Sequence, residues 1–208
     1  DVPQKRERLI LIAIRNDIAP LVQFKWPDVC TTVRTLRDAF FAGELFDTDV
    51  PLSEGQKYPD SKFKVMQLVP EGGDWRDLPD GMARRLAMDE PSLTLTCAPA
   101  QKQTERCHPI ETRPLTVREY ARIQTFPDDW QFCGNLTAQY KQIGNAVPVN
   151  LAWAIGRSLI RLFNDIAKLG LISEDVSVST TRHYTKLYGI FEGMVCDKKA
   201  EYLSSSQK

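Results

Sequence analysis

Arg113-Pro-Leu-Thr-Val-Arg-Glu-Tyr-Ala-Arg-Ile-Gln-Thr-Phe-Pro-Asp128, followed twelve residues later by Tyr140-Lys-Gln-Ile-Gly-Asn-Ala-Val-Pro-Val-Asn150, is the stretch of this 208-residue chain that decides its fold. Thr116-Val-Arg-Glu119 is a capping box, in which the threonine hydroxyl accepts from the amide three residues on and the glutamate reaches back. It predicts a helix from Thr116 to about Gln124, ending before Phe126-Pro127. Thr137 reads as the N-cap of a short helix ending at Gly144, and Pro148 suits the first turn of another. Along that last helix Leu151, Ile155, Leu159, Leu162, Ile166 and Leu169 recur at three- and four-residue steps, with Gly170 as the stop. One apolar face is expected to lie across a sheet.

Upstream, Leu9-Ile-Leu-Ile-Ala-Ile14 is an uninterrupted apolar run suited to a strand buried on both faces. Gln4, Arg6 and Arg8 precede it. Between Pro27 and Gly43, Val33, Leu36, Phe40 and Phe41 have helical spacing, with Thr31 or Thr32 as the cap and Gly43 as the stop. From about Glu44 to Glu111 periodicity fades and Gly, Pro, Asp and Ser become frequent, as in a small irregular domain. There the pair Gly72-Gly73 permits positive φ, Pro91 to Thr96 alternates like a half-buried strand, and the polar run Gln101 to His108 suits a solvated loop or a phosphate track. Phe41-Ala-Gly-Glu-Leu-Phe46 looks superficially like a cofactor-binding glycine turn. No buried strand precedes it and no second glycine follows, so it is rejected as one.

Composition narrows the classes. Formal charge is zero, with 27 basic and 27 acidic residues, so a polyanion would have to meet locally clustered Arg and Lys. Five cysteines at irregular spacing, with no CxxC pair, read as reduced thiols and not as a disulfide frame. No apolar run of about eighteen residues marks a membrane span, and no metal-ligand spacing stands out.

The two stretches quoted first, with Gln4, Arg6 and Arg8, resemble the ninth, tenth and eighth signature motifs of DNA (cytosine-5) methyltransferases, in order and in spacing. The resemblance implies an α/β fold: the C-terminal part of a Rossmann-like, S-adenosylmethionine-dependent methyltransferase with an inserted irregular target-recognition domain. It divides the chain into the last strands and connecting helix of a catalytic domain (1–43), the recognition domain (44–111), the hinge and return helices (112–170) and an appendage (171–208). It implies that Arg8 faces the flipped cytosine and Arg6 the DNA backbone, since a guanidinium donates to base oxygen and phosphate alike. It places Asn145, Ala146 and Val147 against S-adenosylmethionine, where a glycine turn entering a helix aims amides at a carboxylate. Duplex DNA would be read by the recognition domain, whose candidate donors are Arg76, Arg84, Arg85, Lys102, Gln103 and Arg106. Arg113, Arg118, Glu119 and Arg122 are expected to hold the two domains together as charge pairs.

The family's nucleophile is the cysteine of a Pro-Cys pair, backed by a Glu-Asn-Val motif. Here the residues before the cysteines are Val29, Thr96, Arg106, Phe132 and Val195, and Glu-Asn-Val is absent. The expectation is therefore a bacterial or phage-encoded, cytoplasmic restriction-modification methyltransferase, of which this chain supplies DNA recognition and part of the cofactor site. The N-terminal half would complete it, in the same chain or as a partner subunit. The alternatives are a non-catalytic DNA-binding module or an inactive remnant.

Overall fold

The computed structural model describes residues 1–73, 84–97 and 106–170. Its elements are α1 (Leu36–Phe40), α2 (Asp60–Met66), β1 (Arg84–Arg85), β2 (Arg106–Cys107), α3 (Val117–Ile123), α4 (Leu136–Asn145) and α5 (Val149–Lys168). The two short strands pair in parallel, Arg84 opposite Arg106 and Arg85 opposite Cys107. Among the described residues the result is a set of mixed helices with one small sheet.

The fold is organised around α3, and its sequence explains why. Each of its first amides has a partner: Val117 N donates to Glu54 O, Arg118 N to Ser53 Oγ and Glu119 N to Thr116 Oγ1. The predicted capping box is present, with the Glu119 carboxylate accepting from Thr116 N at 2.8 Å. Val117, Tyr120, Ala121 and Ile123 are buried, and so are Glu119, Arg122 and Gln124. A helix buried on nearly every side can keep its charges only if they are paired, and these are. The helix ends as Thr125 takes φ +57° and Phe126 N turns back to Ala121 O. Gln124 O then accepts from Val149 N and Thr125 Oγ1 from Asn150 N, so the end of α3 caps the start of α5.

A single buried cluster joins Leu36, Ala39 and Phe40 of α1 to Leu86, Met88 and Leu95, and these to Leu115, Tyr120, Ile123, Tyr140 and Ile143. It thus joins α1, the stretch from Leu86 to Leu95, α3 and α4. A smaller cluster of Met66, Val69 and Cys107 lies under Tyr58.

Several expectations need correction. Leu9–Ile14 forms no strand; Leu9 and Leu11 are 85% and 82% exposed. An apolar run becomes a buried strand only where neighbours supply both hydrogen bonds and cover, and among the described residues none does. The first connecting helix is confined to Leu36–Phe40 and starts after Thr35, not Thr31 or Thr32. Its first amides go to Glu90 O and Met88 O, a long-range contact that sets the boundary. The cap of α4 is Asn135, whose side chain accepts from Ala138 N, not Thr137. Pro91 to Thr96 is half-buried as expected but pairs only through a parallel bridge between Ser92 and Gln4. α5 keeps Leu162 and Ile166 buried and ends before Gly170 at φ +71°, but no described sheet lies beneath it. Gly72 does take positive φ, at +72°.

Candidate functional site

Residues 92–97 form the meeting point of the motifs. Lys5 N donates to Ser92 O, Ser92 N to Pro3 O and Thr94 Oγ1 to Lys5 O, so the segment runs beside the N-terminal arginines. Arg6 Nη1 donates to Leu95 O and to Gly144 O, both at 3.1 Å. One guanidinium nitrogen thereby links the first motif in the chain, the segment 92–97 and the glycine turn some 138 residues away. Arg106 Nη2 donates to the neighbouring carbonyl, Thr94 O, at 3.1 Å. Arg8 is exposed and bonds only to Glu7 O. Arg6 and Arg106 both have pKa values below the ordinary arginine value. Burial is the first cause for each; the charge of Arg8 adds to it at Arg6, and that of Arg84 at Arg106. Positive charge is thus drawn together in two pairs, Arg6 with Arg8 and Arg84 with Arg106.

Gly144 is indispensable for this packing. A Cβ on it would stand 2.4 Å from Thr96 O and 2.6 Å from Cys97 N, both backbone atoms. α4 therefore touches the 96–97 peptide directly. The Tyr120 hydroxyl accepts from Thr96 N at 3.1 Å and donates to Thr96 O at 2.9 Å. Burial pushes the Tyr120 pKa up to about 12, against the opposing hydrogen bonds from Thr96, so the donor proton stays in place at neutral pH. Its ring meets Tyr140 edge-on at 5.1 Å. A tyrosine on a helix reads as core, and nothing in the sequence singled out this hydroxyl.

The turn expected to hold a cofactor carboxylate has a different geometry. Ala146 N donates to Ile143 O, and the Val149 and Asn150 amides are consumed by Gln124 and Thr125. The first two amides of α5 are therefore not open to a ligand. What remains available is the exposed Asn145 side chain, the 58%-exposed Val147 and a half-buried Ala146. An amide beside an apolar side chain fits the methionine portion of S-adenosylmethionine through side chains, not through backbone amides. A separate cleft of about 560 Å³ lies between the N-terminal segment and α5, lined by Ile10, Trp26, Trp153 and Arg157; Arg6 and Asn145 do not line it.

Of the expected DNA readers, Arg76, Lys102 and Gln103 lie outside the described residues. Arg84 and Arg106 are half-buried. Arg85 is the exception: it is 6% exposed and its guanidinium donates to Val69 O, Met66 O, Thr112 Oγ1 and the carbonyls of residues 108–111. It is an internal strut, because β1 turns consecutive side chains to opposite faces and Arg85 takes the inward one.

The ninth-motif charges behave as braces. Arg113 forms paired hydrogen bonds with Glu119 (2.8 and 2.8 Å) and with Glu111 (2.9 and 2.9 Å). Burial alone would lower its pKa, but the bonds to Glu119 and then Glu111 hold it above the ordinary value. Arg122, fully buried, grips Asp128 at 2.9 and 2.6 Å and the carbonyls of Ala39, Thr48 and Asp49. His108 stacks on Phe40 while its Nδ1 accepts from Ile110 N and Glu111 N.

An α/β arrangement in which a basic N-terminal segment, an irregular middle stretch and a glycine turn converge is the class these observations define. The model of the C-5 cytosine-specific DNA methylase family matches residues 1–161, and the chain belongs to that family. The family generally uses S-adenosylmethionine and carries the corresponding methyltransferase fold. The chain is 60% identical over 185 residues to Type II methyltransferase M.Eco47II of Escherichia coli, covering 80% of this chain and 44% of that protein. It is 58% identical to Type II methyltransferase M.PspPI of Psychrobacter sp. (strain TA137), with the same coverage, and 50% identical to Type II methyltransferase M.Sau96I of Staphylococcus aureus, over 79% of this chain and 41% of that one. The chain thus spans less than half the length of these relatives. Among the described residues no helix is long and apolar enough to cross a membrane.

Proposed function

We propose that this chain is the C-terminal part of a cytoplasmic DNA (cytosine-5) methyltransferase of restriction-modification type, acting on a specific duplex sequence. The observation that carries this reading is the Arg6 contact with both Leu95 O and Gly144 O, which ties the eighth-motif arginine to the recognition stretch and to the tenth motif. Arg6 presents its remaining donors to the DNA backbone and Arg8 its free guanidinium to the extruded cytosine, where donation to the ring oxygen stabilises charge as the ring is attacked. Asn145, Ala146 and Val147 close over the methionine part of S-adenosylmethionine, which supplies the activated methyl group when bound. Arg84 and Arg106, with Arg76, Lys102 and Gln103, contact the duplex. Residues 44–111 act as the recognition domain on the Rossmann-like remainder, braced by Arg113 and Arg122.

No cysteine of the chain follows a proline, so the thiolate for attack at the cytosine ring comes from an N-terminal half. That half also supplies the strands against which Leu9–Ile14 becomes buried. The test is transfer of labelled methyl from S-adenosylmethionine to mixed-sequence DNA by the chain alone and by the chain mixed with the N-terminal half of a close relative. Activity confined to the mixture is expected. Turnover by the chain alone would overturn the division of labour.

A further inference from the structure

We propose that the Tyr120 hydroxyl is a positioning group for Arg6, acting through Thr96 and Leu95, so that a residue of the hinge helix sets how the chain holds DNA phosphate. The inference rests on the reading of Arg6 as a DNA-backbone contact. Arg6 spends one nitrogen, Nη1, on Leu95 O and Gly144 O. That leaves Nη2 and Nε without protein partners among the described residues, on a half-buried side chain. Where those two donors point depends on the two carbonyls that fix Nη1. Gly144 O is placed by α4. Leu95 O belongs to a segment with little regular pairing of its own: one bridge at Ser92, a hydroxyl contact at Thr94 and the Arg106 bond to Thr94 O.

The next residue, Thr96, is held at both its backbone N–H and its C=O by one oxygen, that of Tyr120. Tyr120 is fully buried and its ring fills the core against Tyr140. A phenylalanine would fill that space equally well. The hydroxyl is therefore surplus to packing, and its two bonds fall one residue from the carbonyl that orients Arg6. Gly144 presses on the same 96–97 peptide with no room for a methyl group. The segment is held by Tyr120 and Gly144 together, and Arg6 reads its position.

The experiment is a double-mutant cycle on the chain, with affinity for duplex DNA measured by fluorescence anisotropy across a salt series. Arg6→Ala is expected to weaken binding and to lower the slope of log affinity against log salt by about one phosphate contact. Tyr120→Phe is expected to weaken binding several-fold, on the order of one hydrogen bond, and to lower the slope in the same direction. The pair together is expected to bind no worse than Arg6→Ala alone, because Tyr120 acts only through Arg6. Additive losses, or Tyr120→Phe binding like the unaltered chain with the same slope, would overturn the positioning role while leaving Arg6 as a contact. Unchanged binding by Arg6→Ala, or no binding by the unaltered chain even when mixed with the N-terminal half of a close relative, would overturn the reading of Arg6 and this inference with it. Amide exchange of Thr96 in the unaltered chain gives a check that does not depend on a variant folding. Protection comparable to that of the α3 amides is expected, and rapid exchange would refute the clamp.

Discussion

Replacing Gly144 by alanine places a methyl group against the 96–97 peptide, and the cost can be worked from the distances. The new Cβ lies 2.4 Å from Thr96 O, 2.5 Å from Thr96 C and 2.6 Å from Cys97 N. Favourable contact begins near 3.5 Å, so the two backbones must part by roughly 1 Å. All three atoms are main chain and no rotamer change relieves them. Overpacking of this kind costs about 1–3 kcal/mol, and rigid neighbours put this case near the upper end. Glycine to alanine within a helix returns about 0.5–1 kcal/mol, leaving a net loss of about 2 kcal/mol. Gly156 on α5 supplies the control, because a Cβ there meets nothing within 4 Å. Gly156→Ala gains the helical term and pays no steric one, so the two variants should differ by about 3 kcal/mol. In urea, with a slope of about 2 kcal/mol per molar, their unfolding midpoints should stand about 1.5 M apart on opposite sides of the unaltered chain. A Gly144→Ala midpoint equal to that of Gly156→Ala would refute the close approach of α4 to the recognition stretch.

Arg8 and Arg85 should separate cleanly. Arg8→Ala is expected to weaken binding to duplex carrying the target cytosine by about 1–3 kcal/mol without shifting the unfolding midpoint; Arg85→Met is expected to cost about 3 kcal/mol of stability, from the buried carbonyls it orphans, and to leave DNA binding by the folded chain alone. Arg122→Ala removes one partner of a buried ion pair and should cost about 3–5 kcal/mol in the same denaturation assay, whether or not DNA is present. His108 should give an acid limb. Burial holds its pKa below the ordinary 6.5, with Glu119 opposing that shift and Arg113 adding to it. The unfolded chain therefore takes up the proton first, and stability that is complete above pH 6.5 falls as the pH drops through the folded value. His108→Asn, which keeps an acceptor for Ile110 N and Glu111 N but does not titrate, should lose less stability than the unaltered chain as the pH falls below 6.5.

What could be read in the sequence was what is decided locally. The Thr116–Glu119 box needs only four residues, and it formed with the predicted partners. The stop at Gly170 and the positive φ at Gly72 likewise follow from a missing side chain. What depends on distant backbone was out of reach. α1 begins where Glu90 and Met88 offer carbonyls, and no cap signal near Thr31 encodes that. Arg84 and Arg85 are identical in type and adjacent, yet one is half-buried at the surface and the other serves as an internal strut. Their parity in a two-residue strand decides between them, and composition does not register parity. The family resemblance offered the first amides of α5 to a ligand, but those of Val149 and Asn150 are taken by Gln124 and Thr125.

The same convergence bears on how recognition can be altered without loss of the fold. Leu86, Met88 and Leu95 belong to one buried cluster with α1, α3 and Tyr140, so the stretch between residues 84 and 97 is held by the core of the chain and not merely attached to it. Arg6 and Arg106 grip consecutive carbonyls of that stretch, Leu95 O and Thr94 O. A change in where this segment lies therefore moves both basic side chains at once, and the Tyr120 hydroxyl and Gly144 both resist it. On the proposed reading of Arg6 and Arg106 as contacts to the DNA backbone, substitutions at Leu95, Thr96, Tyr120 or Gly144 should change affinity for every sequence together. They act on main chain that holds those two arginines, and backbone contacts carry no sequence information of their own.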